Sequence, residues 1–412
     1  MAEKSEPLKR YTATSAIVLA FIVALEIVIM ISPFAAFFYA AFNPLLLGLN
    51  QSGATRWLTA FFLPHMVVPP NETLTVIRIL GSILFLVGMA AFLVCAVQVY
   101  IGKLLKKGTA TGGLYRWIRH PQYLALAVSA LGLAILWPRM LTLLLLCVML
   151  VLYYFLARDE ERRMTSRYGE GYISYKARTG MFLPRGAERL LVREGETPDA
   201  LKVTISFLVL CVAILGLGFL LRWYTVDSLP IQNIGGVDVL AISRADTSVA
   251  SELVPAVLAD SSVAALLAKK PKEQGHRLLA YFLPIDYVMQ GMIANTGEEW
   301  KLFEQHRTIG MITDYIVNPL GHLTGGHAHH AAMAGMQHGA EMYALPAMKR
   351  RVIFLDVATG EGPSGSARDD FAINAQRRPL FFVDVHLHTA EILQVKSLEG
   401  GSGWGTVPTP MF

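Results

Sequence analysis

GLYRWIRHPQYLALAVSALGLAILWPRMLTLLLLCVMLVLYYFLARDEERRMTSRYGEGYISYKARTGMFLP, residues 113–184, is the stretch on which the reading of the chain turns. Two polar clusters, Arg119-His120-Pro121-Gln122-Tyr123 and Asp159-Glu160-Glu161-Arg162-Arg163, bracket an apolar span interrupted once, at Trp137-Pro138-Arg139. Proline lacks the amide proton a helix interior needs and its ring clashes with the preceding turn, so one helix has to end there and another begin. The span reads as a transmembrane hairpin. The first residues of its ascending helix and the last of its descending helix return to the same membrane face, which makes His120 and Glu160 neighbours although forty positions separate them. Cationic and imidazole groups facing paired carboxylates at a membrane surface suit a zwitterionic, positively charged small molecule held between opposite charges.

The pattern Gly113-x-Tyr115-x-x-x-Arg119-His120-Pro121-x-Tyr123, the apolar hairpin, Glu160-Glu161, then Tyr168-Gly169-x-x-Tyr172-x-x-Tyr175 and a closing Phe182-Leu183-Pro184 resembles the isoprenylcysteine carboxyl methyltransferase and phospholipid methyltransferase superfamily. The resemblance covers about residues 75–185. It implies an integral membrane enzyme that uses S-adenosylmethionine, with Arg119, His120 and Tyr123 lining one side of the cofactor pocket and Glu160 and Glu161 the other. Tyr168, Gly169, Tyr172 and Tyr175 would belong to a cytoplasmic segment closing over it. Arg119 or His120 suits the cofactor's carboxylate, and a glutamate suits its ammonium or ribose hydroxyls. Adjacent glutamates point about 100° apart on a helix, so one of the two is expected to face the ligand. Where the family often carries glycine two positions after the motif tyrosine, this chain has Ala125, whose methyl group would narrow the pocket.

Around this core the composition is 54% hydrophobic and 16% charged over 412 residues, which leaves room for two domains and places much of the chain in lipid. A first span is expected over about 13–41, with Glu26 near its middle, followed by a loop over 44–74 and a second span over about 76–101. The hairpin supplies the third and fourth, about 121–137 and 138–157, and about 203–221 is the fifth. Lysine and arginine gather in the N-terminus, in 102–120 and in 158–202, so the positive-inside rule makes these cytoplasmic. The expected architecture is an α-helical polytopic membrane protein with five transmembrane helices and a C-terminal extracytoplasmic α+β domain. Its parts are 1–74 (first helix and outer loop), 75–202 (methyltransferase-like core), 203–224 (fifth helix) and 225–412 (outer domain). Cys95, Cys147 and Cys211 all fall in apolar spans, as small apolar residues. The basic residues form no stripe interleaved with aromatics, so no nucleic-acid partner is expected.

In the outer domain, helical spacing is expected from Ser251 to about Leu320 (Leu253, Val257, Leu258, then Leu278, Leu279, Phe282), and strands over 351–357 and 379–388. The loop 322–342 holds His327, His329, His330, Met333, Met336 and His338. Imidazole with thioether suits copper, with zinc as the competitor, and the segment resembles the Met-x-Gly-Met-x-His runs of periplasmic copper-resistance proteins. His386 and His388, alternating with Asp384 along a strand, would complete the site. The chain thus reads as a membrane methyltransferase of a bacterial inner membrane, N-terminus cytoplasmic and outer domain periplasmic, acting on a lipophilic or small thiol, amine or carboxylate acceptor. The alternative is a non-catalytic subunit whose methyltransferase-like fold anchors a copper-binding or complex-assembly domain to a membrane-complex partner.

Overall fold

The computed structural model describes residues 45–64, 71–104, 111–191, 200–269, 275–285, 287, 290, 293–294, 348–359 and 366–398. The first expected span and Glu26 lie outside them. The helices are α1 (Leu45–Gln51), α2 (Glu72–Leu104), α3 (Pro121–Leu136), α4 (Met140–Tyr168), α5 (Glu170–Arg178), α6 (Arg185–Leu191), α7 (Ala200–Asp227), α8 (Asp246–Ala259) and α9 (Ser261–Ala268). The strands are β1 (Ile231–Ile234), β2 (Val237–Ala241), β3 (His276–Pro284), β4 (Lys349–Ala358), β5 (Gln376–His386) and β6 (Ile392–Ser397). These residues form two compact units, Thr75–Leu220 and, separately, the residues up to Leu74 together with those from Leu221 onward.

The first unit carries the hairpin where the proline placed it: α3 ends at Leu136 and α4 begins at Met140. Among the described residues, Glu72–Gly102, Met140–Tyr168 and Leu201–Asp227 are long and apolar enough to cross a bilayer. Helix α3 is apolar but has 16 residues, a rise of about 24 Å against a hydrocarbon core of about 30 Å. It meets α2 along a seam of small residues. A Cβ on Gly132 would stand 2.3 Å from the backbone nitrogen of Phe85, and one on Gly88 2.5 Å from that of Ser129 and 2.7 Å from the carbonyl oxygen of Ala125. Ser129 Oγ donates to the Phe85 carbonyl at 3.2 Å. In lipid, where apolar burial gives no drive between helices, such close backbone approach is what holds two helices together. Ala125, Ser129 and Gly132 share one face of α3, and the Ala125 carbonyl lies on this seam.

The second unit is built on one six-stranded sheet in the order β1-β2-β3-β4-β5-β6. All neighbours are antiparallel except β2 and β3, whose parallel pairing requires the crossover that α8 and α9 make. The α8–α9 pair is apolar and bent by 77°, but Leu253, Val254, Val257 and Val263 bury against the sheet with Ala280, Phe282 and Phe354, so it covers the sheet. The strands expected over 351–357 and 379–388 are present as β4 and β5. The expected helix character of Leu278, Leu279 and Phe282 is corrected: they lie on β3, where alternate residues face opposite cores, Leu279 and Tyr281 one, Ala280 and Phe282 the other. The expected loop at 44–74 is corrected too. It contains α1 and a 3₁₀ turn at Arg56–Thr59 and buries Phe61 and Phe62. Arg222 donates to the carbonyls of Phe61 and Phe371, each at 2.5 Å, and Thr225 to that of Phe62 at 3.2 Å.

Candidate active site

The hairpin brings the two polar clusters together. His120 is the residue before α3, with Pro121 at the first helical position, where a missing amide proton costs nothing. The segment before it is fastened to the chain after α5. Ile118 and Gly180 form a parallel bridge, Arg119 N donates to Gly180 O at 2.8 Å, and His120 N donates to Met181 O at 3.1 Å. Gly180 has to be glycine, since a Cβ there would stand 1.8 Å from the carbonyl oxygen of Leu183.

Glu161 is the electrostatic centre. Its carboxylate takes Arg119 Nε at 2.5 Å, Lys176 Nζ at 2.7 Å and His120 Nε2 at 3.5 Å, and it is 4% exposed. Arg119 is further engaged through Nη1, which donates to the carbonyls of Lys176 at 3.1 Å and of Thr179. Glu160 stands 3.5 Å from His120 Nδ1 and keeps about a third of its side chain exposed, 35%. The two adjacent glutamates therefore differ: Glu161 is enclosed among cations, and Glu160 looks outward. His120 is 1% exposed, and neither ring nitrogen makes a hydrogen bond of good geometry among the described residues. Burial works against charging this imidazole, but Glu160 and Glu161 outweigh it and hold its pKa above the ordinary histidine range.

The aromatic residues form the wall. Tyr123 packs 5.8 Å from the His120 ring and 5.1 Å from Tyr153, and Phe182 lies 6.0 Å from His120. Tyr172 and Tyr175 are buried, their rings 5.8 Å apart, while Tyr168 is exposed. Tyr175 donates to the Tyr115 carbonyl at 2.6 Å, and Tyr115 to Gln122 at 2.9 Å, so these phenols brace the loop that carries Arg119. Gly169, at φ 52°, makes the break between α4 and α5 that turns Tyr172 and Lys176 back toward Glu161. An open groove of about 640 Å³ runs beside Glu161 and Lys176, lined by Arg158, Asp159, Arg162, Thr165 and Ser166 as well. Lys176 is the residue sequence reasoning missed; it follows Tyr175 directly, but nothing in its spacing announces Glu161 as its partner.

Of the expected metal ligands, His327, His329, His330, Met333, Met336 and His338 lie outside the described residues. His386 ends β5, with its ring 6.2 Å from that of His388. The expected alternation of Asp384, His386 and His388 along one strand is corrected in two respects. His388 falls in the turn beyond β5, and Asp384 is buried in a two-pronged ion pair with Arg351, at 2.7 and 2.8 Å. Among the described residues no group of three or more His, Cys, Asp or Glu side chains is placed to hold a metal ion.

Residues 96–171 match the family model described as phospholipid methyltransferase. The match takes in Arg119, His120, Tyr123, Glu160 and Glu161 and stops just short of Tyr172. No curated protein and no solved structure matches the chain. The match covers under a fifth of the chain, and together with the long apolar helices it is consistent with an integral membrane protein that carries a methyltransferase-type segment.

Proposed function

We propose that the chain is an S-adenosylmethionine-dependent methyltransferase whose cofactor is held beside His120 and Glu160. The observation that supports this most is the buried His120, which has two carboxylates at 3.5 Å and no well-formed hydrogen bond of its own; one of those carboxylates, Glu161, also lines a groove of about 640 Å³. Ligand sites of a few hundred cubic ångströms with few convergent polar groups are the usual size for small molecules. When bound, S-adenosylmethionine supplies an electrophilic methyl group on a sulfonium centre. The protein has then to bind, orient and exclude water.

Arg119 is already committed to Glu161 and to backbone carbonyls, so its part is to hold the 117–120 segment against 176–181. His120 retains hydrogen-bonding capacity for a carboxylate, and Glu160 for an ammonium or hydroxyls. Tyr123 and Tyr172 supply apolar walls. The acceptor is a lipophilic or small thiol, amine or carboxylate compound arriving from the bilayer. The positive-inside count supports a cytoplasmic site, in what we read as a bacterial inner membrane, and five spans would carry the sheet domain to the periplasmic side.

Calorimetry on detergent-purified protein tests the reading. Wild type is expected to bind S-adenosylmethionine, and His120→Ala and Glu160→Ala each to weaken binding by about tenfold to a hundredfold, since a hydrogen bond to a charged group is worth about 1.5–3 kcal/mol. Absence of binding by folded wild type at millimolar cofactor would leave the non-catalytic membrane subunit as the better reading. For the outer domain we infer Cu(I) binding by His327, His329, His330, Met333, Met336 and His338, on ligand softness alone. Replacing these six residues is expected to abolish Cu(I) capture in competition with a chromophoric chelator. Unchanged capture, or capture of zinc alone, would remove copper from the account.

A further inference from the structure

One end of the sheet carries a polar row on a face that is otherwise apolar. Asn233 on β1 and Asp238 on β2 are register partners, and Arg277, Val357 and Arg377 line up across β3, β4 and β5. Asn233 Nδ2 donates to Asp238 Oδ1 at 2.7 Å, and Arg277 Nη2 donates to Asp238 Oδ2. Asp370 comes to this row from the 3₁₀ turn Ala367–Phe371, 0% exposed, with Oδ1 3.3 Å from Arg277 Nε. Neither Asp370 oxygen receives a hydrogen bond from a donor among the described residues. Asp238 and Asp370 therefore converge on one guanidinium, Asp238 at Nη2 and Asp370 at Nε of Arg277. Two ionised carboxylates have only acceptors between them, so they can bond to each other only when a proton is shared.

The same turn is tied to the last turns of α7. Phe371 offers its carbonyl to Arg222, and Arg368 pairs with Asp227. We propose that Asp238 and Asp370 form a proton-binding site that latches the Ala367–Phe371 turn to the sheet and to the end of α7. The charged groups facing it are Asp238 from β2, Arg277 from β3, Arg377 from β5 and Asp369 on the turn, with Arg222 of α7 beside Arg377. Burial raises the Asp370 carboxyl, Arg277 pulls it back and Asp238 raises it again, leaving it at about 7.

The folded state therefore holds a proton that the unlatched turn gives up. The latch is firm below the ordinary carboxylate pKa of about 3.9 and weakens as pH rises through about 7. Between those two values the turn's opening constant is expected to rise by up to about tenfold per pH unit, and above about 7, where the latched and the unlatched turn are both deprotonated, it levels off.

Hydrogen-exchange mass spectrometry on the full chain in detergent, followed from about pH 5 to about pH 8.5 and corrected for intrinsic exchange, reads this directly over residues 366–372. Wild type is expected to lose protection as pH rises to about 7 and then to level off, and Asp370→Asn, neutral at every pH, to lose none. Asp238→Asn removes the repelling neighbour and leaves Arg277 and Arg377, so its transition is expected at lower pH. A flat wild-type profile, or the same slope and midpoint in all three chains, overturns the proposal. A purely structural role for the two aspartates would change the level of protection and leave the midpoint where it is.

Discussion

Glu161→Gln is expected to cost the membrane unit about 3 kcal/mol and to weaken cofactor binding by about a hundredfold. The substitution keeps shape and removes one negative charge from among Arg119, Lys176 and His120. Breaking a buried ion pair by removing one partner costs about 3–5 kcal/mol, because it leaves the other charge buried and uncompensated. The lower end applies here, since the Lys176 side chain is 49% exposed and can turn to water, whereas that of Arg119 is 8% exposed and cannot. Lys176→Met should accordingly cost no more than about 1 kcal/mol.

The same change acts on the histidine. With its pKa held above the ordinary value by the two glutamates, His120 contributes stability that is fully present below about pH 6.5 and lost as pH rises through its raised pKa. In Glu161→Gln that loss moves to lower pH. Unfolding in mixed micelles across pH, with calorimetry of S-adenosylmethionine, checks both halves. If Glu161→Gln matches wild type in both, the carboxylate does not organise the site.

The part of this site that could be read from the chain is the part set by punctuation and pairing of opposite charges. Trp137-Pro138-Arg139 forces a reversal, and reversal alone brings His120 to Glu160 and Glu161. What spacing could not decide was the division of labour between the two glutamates. It depends on α5 being turned back at Gly169 so that Lys176 closes on Glu161, a tertiary event with no periodic signature. Arg119 was expected to face the ligand for the same reason: its commitment to the carbonyls of Lys176 and Thr179 arises only once 117–120 pairs with 179–181.

In the sheet domain the losses are instructive in another way. Ile231-Gln-Asn-Ile-Gly235-Gly236-Val-Asp-Val-Leu240 is a two-residue hairpin, both glycines at positive φ, 59° and 83°. Gly-Gly between β-branched runs is a signal for such a turn. Leu278, Leu279 and Phe282 were ambiguous in a different sense, because a short apolar run buried on both faces has no period that separates helix from strand. Asp370 was beyond reach altogether, since nothing local marks a carboxylate whose partner lies in β2.

Gly132→Val is expected to do the greatest damage of any single change in the α2–α3 seam, destabilising the unit by more than about 3 kcal/mol, the upper end of ordinary overpacking. The atoms a side chain would meet are the backbone nitrogen of Phe85 at 2.3 Å and the carbonyl oxygen of Gly81 at 2.6 Å. Backbone cannot rotate aside as a leucine end can, so the helices have to separate, and with them goes the Ser129 to Phe85 hydrogen bond. Gly216→Val on α7 is the matched control: nothing lies within 4 Å of its built Cβ, and it is expected to stay within about 1 kcal/mol of wild type. Denaturation by increasing detergent strength compares the two, and equal stabilities would mean that α2 and α3 do not meet this closely. The consequence reaches the chemistry because His120 sits immediately before α3. Moving that helix by the width of a methyl group shifts an imidazole that stands 3.5 Å from both glutamates, and misplacement of about 1 Å in a binding constellation is enough to lose about a hundredfold in rate. Cofactor binding should therefore fall together with stability in Gly132→Val and be retained in Gly216→Val.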